Sequence, residues 1–352
     1  MKAMKSMAYE VVIVGGGAAG LSAALVLGRA RRRVAVVDAG APRNAPAAHM
    51  QGFLSRDGLP PAELLAIGRE EVRGYGVELI QDAVVGIEAA FIVRLGGGGA
   101  LRARRLLIAT GVRDELPDIP GVRERWGRDL LHCPYCHGWE VRDQPIGVLG
   151  TRPDAVQHAL LVRQWSDDVV FFAHTLDLDG GGDARQRMAA RGVSVVAGPV
   201  ARLVVESDRL TGVALLDGRV VARSAVFIRP VNVPHPDGLL RRLGCDLDAA
   251  GFPVVDATGR TSIAGIWAAG NVVDPRLQVI TSAGAGSAAA IAINADLVLE
   301  DVEHAFEGKS DQWSPEGPSR NERTIRPAVR SCANPRRLAR TARRSNDRPT
   351  GP

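Results

Sequence analysis

The run YEVVIVGGGAAGLSAALVLGRARRRVAVVDAG, residues 9–40, limits the possible folds more than any other stretch of this 352-residue chain. Val11 to Val14 predict a short buried strand, Leu21 to Leu27 a helix, and Val34 to Val37 a second strand, which together make a βαβ unit. Between the first strand and the helix stand Gly15, Gly17 and Gly20 in the pattern G-x-G-x-x-G, and Asp38 ends the second strand. The first glycine allows a tight turn, the second lets the backbone approach a pyrophosphate, and the third lets helix and strand pack closely. The free N–H groups at the helix start then attract phosphate. Asp38 is spaced to accept hydrogen bonds from an adenosine ribose. A glycine turn alone would say little, but strand, helix and acid in the right order point to a dinucleotide.

The length allows two domains, each able to bury a core, and 40 glycines suit an α/β chain with many tight turns. The net charge of +5 is unevenly placed. Residues 309–352 hold eleven Lys/Arg against four Asp/Glu, a net +7, which leaves −2 for residues 1–308. The basic character therefore belongs to a tail rich in Arg, Pro, Ser and Asn, expected to be disordered, and the body of the chain gives no reason to expect nucleic acid. No apolar run is expected to span a membrane: the best candidate, SAGAGSAAAIAINADLVL, is mostly small residues and contains Asn294 and Asp296. The lysines at the N-terminus precede no cleavage-site pattern, so a cytoplasmic, reducing location is expected.

Two further segments resemble those of flavoproteins with two dinucleotide-binding domains. In RRLLIATGVRDELPDIPG a buried strand, Leu106 to Ala109, runs into Thr110 and Gly111. In TSIAGIWAAGNVVDP a strand, Gly265 to Ala269, precedes Gly270 and Asn271, where that group usually has Gly-Asp. Asn271 keeps a side-chain acceptor for ribityl hydroxyls while removing a negative charge. A helix of small residues is expected to begin near Val279 or Ile280, and in such proteins its N-terminus points at the flavin.

Order completes the resemblance: first FAD motif, ATG segment, C-x-x-C, a middle α/β stretch, second FAD motif, final helix. Over roughly residues 9–305 the chain resembles the low-molecular-weight thioredoxin reductase family. CPYCHGWE and WAAGNVVD are most similar to the branch containing the dithiol oxidases of gliotoxin and holomycin biosynthesis. The resemblance implies an α/β fold in which an FAD-binding domain, residues 8–118 and 239–306, is split by an inserted NAD(P)-like Rossmann domain, residues 119–238, that carries the C-x-x-C; residues 307–352 are the tail. It also implies FAD as cofactor, a homodimer, and FAD contacts at Arg43 and Asn44 in APRNAPAAHMQGFLSRDG.

The stretch LLHCPYCHGWE, residues 130–140, admits a c-type haem site, half a zinc site, or a redox disulfide. Haem attachment goes with export, and zinc needs four ligands. There is no second C-x-x-C, and Cys245 and Cys332 stand apart, so no metal is expected. The redox disulfide is the preferred reading. By resemblance, Cys136 is the flavin-facing sulfur and Cys133 exchanges with substrate, while His137 stands where thioredoxin reductases have an acid and is placed to act as acid and base. Tyr135 and Trp139 are placed either to shape a substrate mouth or to pack.

Binding of NADPH is expected to be weakened. The middle segment repeats strand, turn, helix, strand, but its turn reads Gly150, Arg152, Ala155, with an arginine where a glycine normally admits the pyrophosphate. After the next strand comes HTLDLDGG, His174 with aspartates rather than arginines, and carboxylates repel a 2′-phosphate. Three functions follow: oxidation of a dithiol through Cys133–Cys136 and FAD to oxygen, as the favoured reading; NADPH-dependent reduction of thioredoxin; or redox sensing without turnover. The partner is accordingly a small dithiol or a thioredoxin-like protein.

Overall fold

The computed structural model describes residues 7–178, 182–234 and 238–306. The basic tail, 307–352, lies outside the described residues, as does Asp179 of the HTLDLDGG segment.

The first part of the chain forms β1 (Met7–Val14), α1 (Ala18–Arg29), β2 (Val34–Asp38), α2 (Pro61–Gly74), β3 (Glu78–Gln81), β4 (Val84–Glu88), β5 (Ile92–Leu95), β6 (Ala100–Ile108) and β7 (Val112–Glu115). A middle stretch follows: α3 (Val122–Arg125), β8 (Leu130–Leu131), α4 (Pro134–His137), β9 (Ile146–Leu149), α5 (Ala155–Val162), β10 (Val169–Phe172), α6 (Ala184–Ala190), β11 (Val193–Val196), β12 (Val200–Glu206), β13 (Arg209–Leu215), β14 (Val220–Ala222), β15 (Ala225–Ile228) and β16 (Val231–Pro234). The last part contributes α7 (Leu239–Arg242), β17 (Ile266–Ala268) and α8 (Val279–Phe306).

One sheet runs β3-β2-β1-β6-β5-β4, with β17 added on β6. Strands β3, β2, β1, β6 and β17 pair in parallel, and β5 and β4 are antiparallel. Alternation of side chains gives this sheet two cores. Val11, Ile13, Val36 and Leu107 face α1, α2 and α8, whereas Val12, Val14, Val37 and Ile108 face the opposite side with Val93 and Leu240. The chain leaves β1 through α1 to β2 on one side, and β6 flanks β1 on the other. The carboxyl ends of β1 and β6 therefore border the crevice where such sheets bind ligands.

A second, parallel sheet has the order β11-β10-β9-β15-β8, and β12-β13-β14 form an antiparallel meander. Helices α5 and α6 pack on one face through Ala155, Ala159, Val162 and Met188, and the meander covers the other through Leu203, Leu210 and Val213. The ribbon of β7 and β16, pairing Val112 with Pro234 and Glu115 with Val231, carries the chain into and out of this stretch.

Helix α8 corrects one expectation. Over its 28 residues it is long and apolar enough to cross a membrane by length and composition, which no run was expected to be. Within the fold its small residues let it lie on α1: a Cβ at Gly286 would fall 2.0 Å from the Ala19 carbonyl oxygen. Charges then tie its far half to the sheet. Arg105 meets Asp296 at 2.5 Å and Glu300 at 2.8 Å, Arg104 meets Asp301 at 2.6 Å, and Arg32 bridges Asp301 and Glu10.

Candidate active site

Four strand ends bring the distant motifs together. Gly15 follows β1 and donates to the Val37 carbonyl (2.8 Å), Ala109 follows β6 and donates to Val14 (2.8 Å), and Ala269 follows β17 and donates to Ile108 (3.0 Å). Asp38, Gly15, Thr110, Gly111 and Gly270 thus share one edge of the sheet. Gly15 has φ +108°, and a Cβ there would lie 2.4 Å from the Ala109 carbonyl oxygen. At Gly20 a Cβ would lie 1.9 Å from the Gly15 carbonyl oxygen. Gly17 differs: a Cβ would meet nothing within 4 Å, so this backbone faces open space at the start of α1. An open, glycine-lined helix N-terminus fits the pyrophosphate of FAD. Asp38 sits beside Gly16 and receives Arg69 of α2 at 3.2 Å and the Gly40 N–H at 3.3 Å.

Arg43 and Asn271, expected as FAD contacts, both hold protein. Arg43 grips Asp114 of β7 with two bonds, 2.8 and 2.7 Å, and donates a third to the Pro275 carbonyl at 2.7 Å. The Asn271 Nδ2 donates to the carbonyls of Asp274 and Leu277, both at 3.0 Å. A carboxylate could not make these bonds, which gives a physical reason for asparagine at this position; Oδ1 is the atom left to accept from a ribityl hydroxyl. Asn44 sits in the turn after Arg43, its carbonyl accepting from the Ala47 N–H. Val279 begins α8, as the sequence suggests.

Cys133 and Cys136 are joined as a disulfide with their Cα atoms 5.2 Å apart. Pro134 opens the single helical turn α4, where its fixed φ suits the first helical position. The Cys133 carbonyl accepts from both Cys136 and His137 N–H groups at 3.1 Å. Beneath the turn, Trp165 packs so closely on Gly138 that a Cβ would come within 2.8 Å of its ring, and Tyr135 meets Trp165 edge-on at 5.5 Å. Tyr135 and Trp139 are nonetheless 65% and 66% exposed, so they flank the disulfide at the surface.

His137 lines a cleft of about 480 Å³ together with His49, Gln51, Arg128, Leu131 and Glu140. The loop 45–48 closes one side by packing on Gly127, where a Cβ would lie 2.8 Å from Pro46. Burial lowers the His137 pKa below the usual imidazole value, against the opposing pull of the Glu140 charge, so its ring is neutral at pH 7. His132, on the other side of the pair, uses Nδ1 on the Ile228 carbonyl (3.2 Å) and is likewise lowered by burial. The His49 Nδ1 is 3.0 Å from the Gly58 carbonyl.

The turn after β9 is occupied by protein charge. Arg152 meets Asp154 at 3.2 Å, and Arg229 holds the other oxygen of the same carboxylate at 3.0 Å. Gly150 is required by packing, since a Cβ would come within 2.8 Å of the Phe172 carbonyl oxygen. His174 accepts the Val200 N–H on Nδ1 at 3.0 Å, which commits it to the fold. His158 of α5 is buried beside His132 and Phe227; burial pushes its pKa down to about 3, and among the described residues neither ring nitrogen has a partner.

Sequence reasoning missed Gln278, whose Nε2 lies 3.8 Å from the Cys136 sulfur. It also missed Glu140 beside His137 and Asp154 between two arginines. Only the position of Gln278 directly ahead of the expected helix offered a signal.

Residues 9–287 match the family described as pyridine nucleotide-disulphide oxidoreductase. The solved structure of HlmI is 61% identical, with a TM-score of 0.83, covering 86% of this chain and 96% of that one. Thioredoxin reductase sirT of Leptosphaeria maculans is 29% identical over 84% of this chain and 96% of its own length. A probable thioredoxin reductase of Arthroderma benhamiae is 34% identical over 47% of this chain, and the match spans 44% of that protein. The chain belongs to the pyridine nucleotide-disulphide oxidoreductase family, within which it is a thioredoxin reductase-like, FAD-dependent disulfide oxidoreductase.

Proposed function

We propose that the protein oxidises a dithiol to a disulfide through Cys133–Cys136, with oxygen as the final acceptor. The observation that carries this reading is an asymmetry between the two sheets. His137, next to Cys136 in the chain, lines a cleft of about 480 Å³, whereas the turn after β9 carries the ion pairs of Asp154 with Arg152 and Arg229. A nucleotide pyrophosphate at this turn would have to compete with the Asp154 carboxylate for both guanidiniums. Electrons therefore enter as substrate thiols.

Neutral His137 takes the proton from a substrate thiol, and the resulting thiolate attacks the Cys133 sulfur. The S–S bond breaks with its electron pair on Cys136. The second substrate thiolate then attacks the first substrate sulfur, which releases oxidised substrate and reduced Cys133. FAD, when bound, supplies the two-electron acceptor that passes the pair from Cys136 to oxygen. The cleft volume suits a small molecule. The family's homodimer is supported by the exposed face of α8, where Ile291, Val298 and Val302 would remain in water in a monomer.

The second reading, NADPH-dependent reduction of thioredoxin, draws on the retained β9-α5-β10 unit and on the two relatives that carry that name. One anaerobic experiment separates them. The yellow protein is mixed with NADPH or with dithiothreitol while flavin absorbance is followed. Bleaching by the dithiol alone, reversed by air, is expected; rapid bleaching by NADPH would overturn the oxidase reading.

A further inference from the structure

The loop ahead of α8 delivers one polar side chain to the disulfide. The Gln278 Nε2 reaches the Cys136 sulfur at 3.8 Å, and among the described residues no donor reaches the Cys133 sulfur. We propose that Gln278 is a catalytic residue of disulfide exchange, the donor that receives Cys136 when it leaves as a thiolate. This rests on the redox role of the pair described above.

Gln278 is fixed by ties on both sides. Before it, Arg43 holds the Pro275 carbonyl at 2.7 Å and Asn271 holds those of Asp274 and Leu277 at 3.0 Å. After it, the first bond of α8 runs from the Ser282 N–H to the Gln278 carbonyl at 2.9 Å, and the Thr281 hydroxyl donates to the same oxygen at 3.0 Å. The amide is thus presented by an immobilised loop at the positive end of a 28-residue helix. A donor held in place before charge develops needs no reorganisation when it does.

The bond-making step shows why the asymmetry matters. A substrate thiolate forms an S–S bond to Cys133 while the Cys133–Cys136 bond breaks, and the electron pair stays on Cys136. A neutral amide binds a disulfide sulfur weakly and a thiolate much more strongly, because the acceptor is then charged. Gln278 favours the state after cleavage over the state before it, and it selects Cys136 as the leaving sulfur. When the second substrate sulfur closes the product disulfide, Cys133 leaves as a thiol, Cys136 remains a thiolate, and one proton rests on His137. Substrate has lost two electrons and the pair has gained them.

The test reads Cys136 without turnover, by mass spectrometry of its own peptide so that Cys245 and Cys332 do not contribute. In the Cys133→Ser holoenzyme, the pH dependence of Cys136 alkylation by iodoacetamide gives the midpoint of thiolate formation. Adding Gln278→Met, which keeps the volume and removes the donor, is expected to raise that midpoint by about one unit. Gln278→Glu, which puts a carboxylate beside the sulfur, should raise it at least as far. In the otherwise wild-type enzyme each change should slow reduction of the disulfide by dithiothreitol roughly 10-fold. Retained flavin absorbance certifies folding, and if one variant loses flavin the other carries the comparison. Midpoints equal to that of Cys133→Ser alone would overturn the assignment. Failure of dithiothreitol to reduce the wild-type enzyme would instead overturn the redox reading, so the two failures are distinct.

Discussion

Two alanines placed three residues apart in the glycine turn should have opposite effects. For Gly20→Ala the new Cβ would stand 1.9 Å from the Gly15 carbonyl oxygen and 3.3 Å from the Ile13 side chain. Helix α1 cannot recoil, because the Ala19 carbonyl on its other side already abuts Gly286 so closely that a Cβ there would lie at 2.0 Å. Overpacking typically costs about 1–3 kcal/mol when a side chain can yield, and here both partners are backbone, so the upper end applies. At roughly 2 °C per kcal/mol for a chain of this size, the apoprotein should melt about 6 °C lower. Gly17→Ala has no such cost: its φ of −77° and ψ of −171° suit alanine, and nothing lies within 4 Å. Its methyl group enters the space where the pyrophosphate must approach. Loss of one charged hydrogen bond, about 1.5–3 kcal/mol, weakens FAD roughly 10- to 100-fold. The assay pairs thermal unfolding of the deflavinated proteins with fluorescence titration of FAD. If Gly17→Ala binds FAD as wild type does, or destabilises the apoprotein as much as Gly20→Ala, the assignment of separate roles to these glycines is wrong.

Two further outcomes follow from the site. His137→Ala should slow disulfide reduction by a dithiol about 100-fold. In the wild type the neutral ring is the working form, and burial lowers its pKa, so the rate should rise with pH along a limb whose midpoint lies below the usual imidazole value. Glu140→Gln removes the charge that opposes this lowering and should move the limb further to acid; stopped-flow rates across pH would show it, and a shift to alkali would refute the pairing. Asn271→Asp, though it restores the residue usual in such flavoproteins, turns a donor to two carbonyls into a repelling carboxylate. It should cost about 1–3 kcal/mol, read as a lower melting temperature and faster amide exchange over residues 274–277.

Much of the fold was legible because its signals are local. A strand, a glycine turn and a helix within residues 9–40 announce a βαβ unit through side-chain size and period, and the helix beginning at Val279 was marked by its small residues. The C-x-x-C spacing was readable for the same reason, since one helical turn across the two intervening residues brings the Cα atoms to 5.2 Å, within bonding distance. The membrane-like character of α8 was misjudged because Asn294 and Asp296 were weighed as polar interruptions; in the fold they meet Arg32 and Arg105.

What the sequence by itself determined was the class of chemistry: which residues can turn, which can cradle a phosphate, and which pair can cycle between disulfide and dithiol. The tertiary structure decided how the remaining polar residues are used. Arg43, expected as a flavin contact, also pairs with Asp114, 71 positions away in the chain. Asn271, expected as an acceptor, also donates through Nδ2 to two carbonyls. Gln278 carried no motif, and it reaches the Cys136 sulfur across 142 residues of chain. Propensity and spacing act over a few residues, whereas a hydrogen bond is decided by which groups the packed sheets and helices bring within about 3–4 Å, and that neighbourhood exists only once the chain has closed.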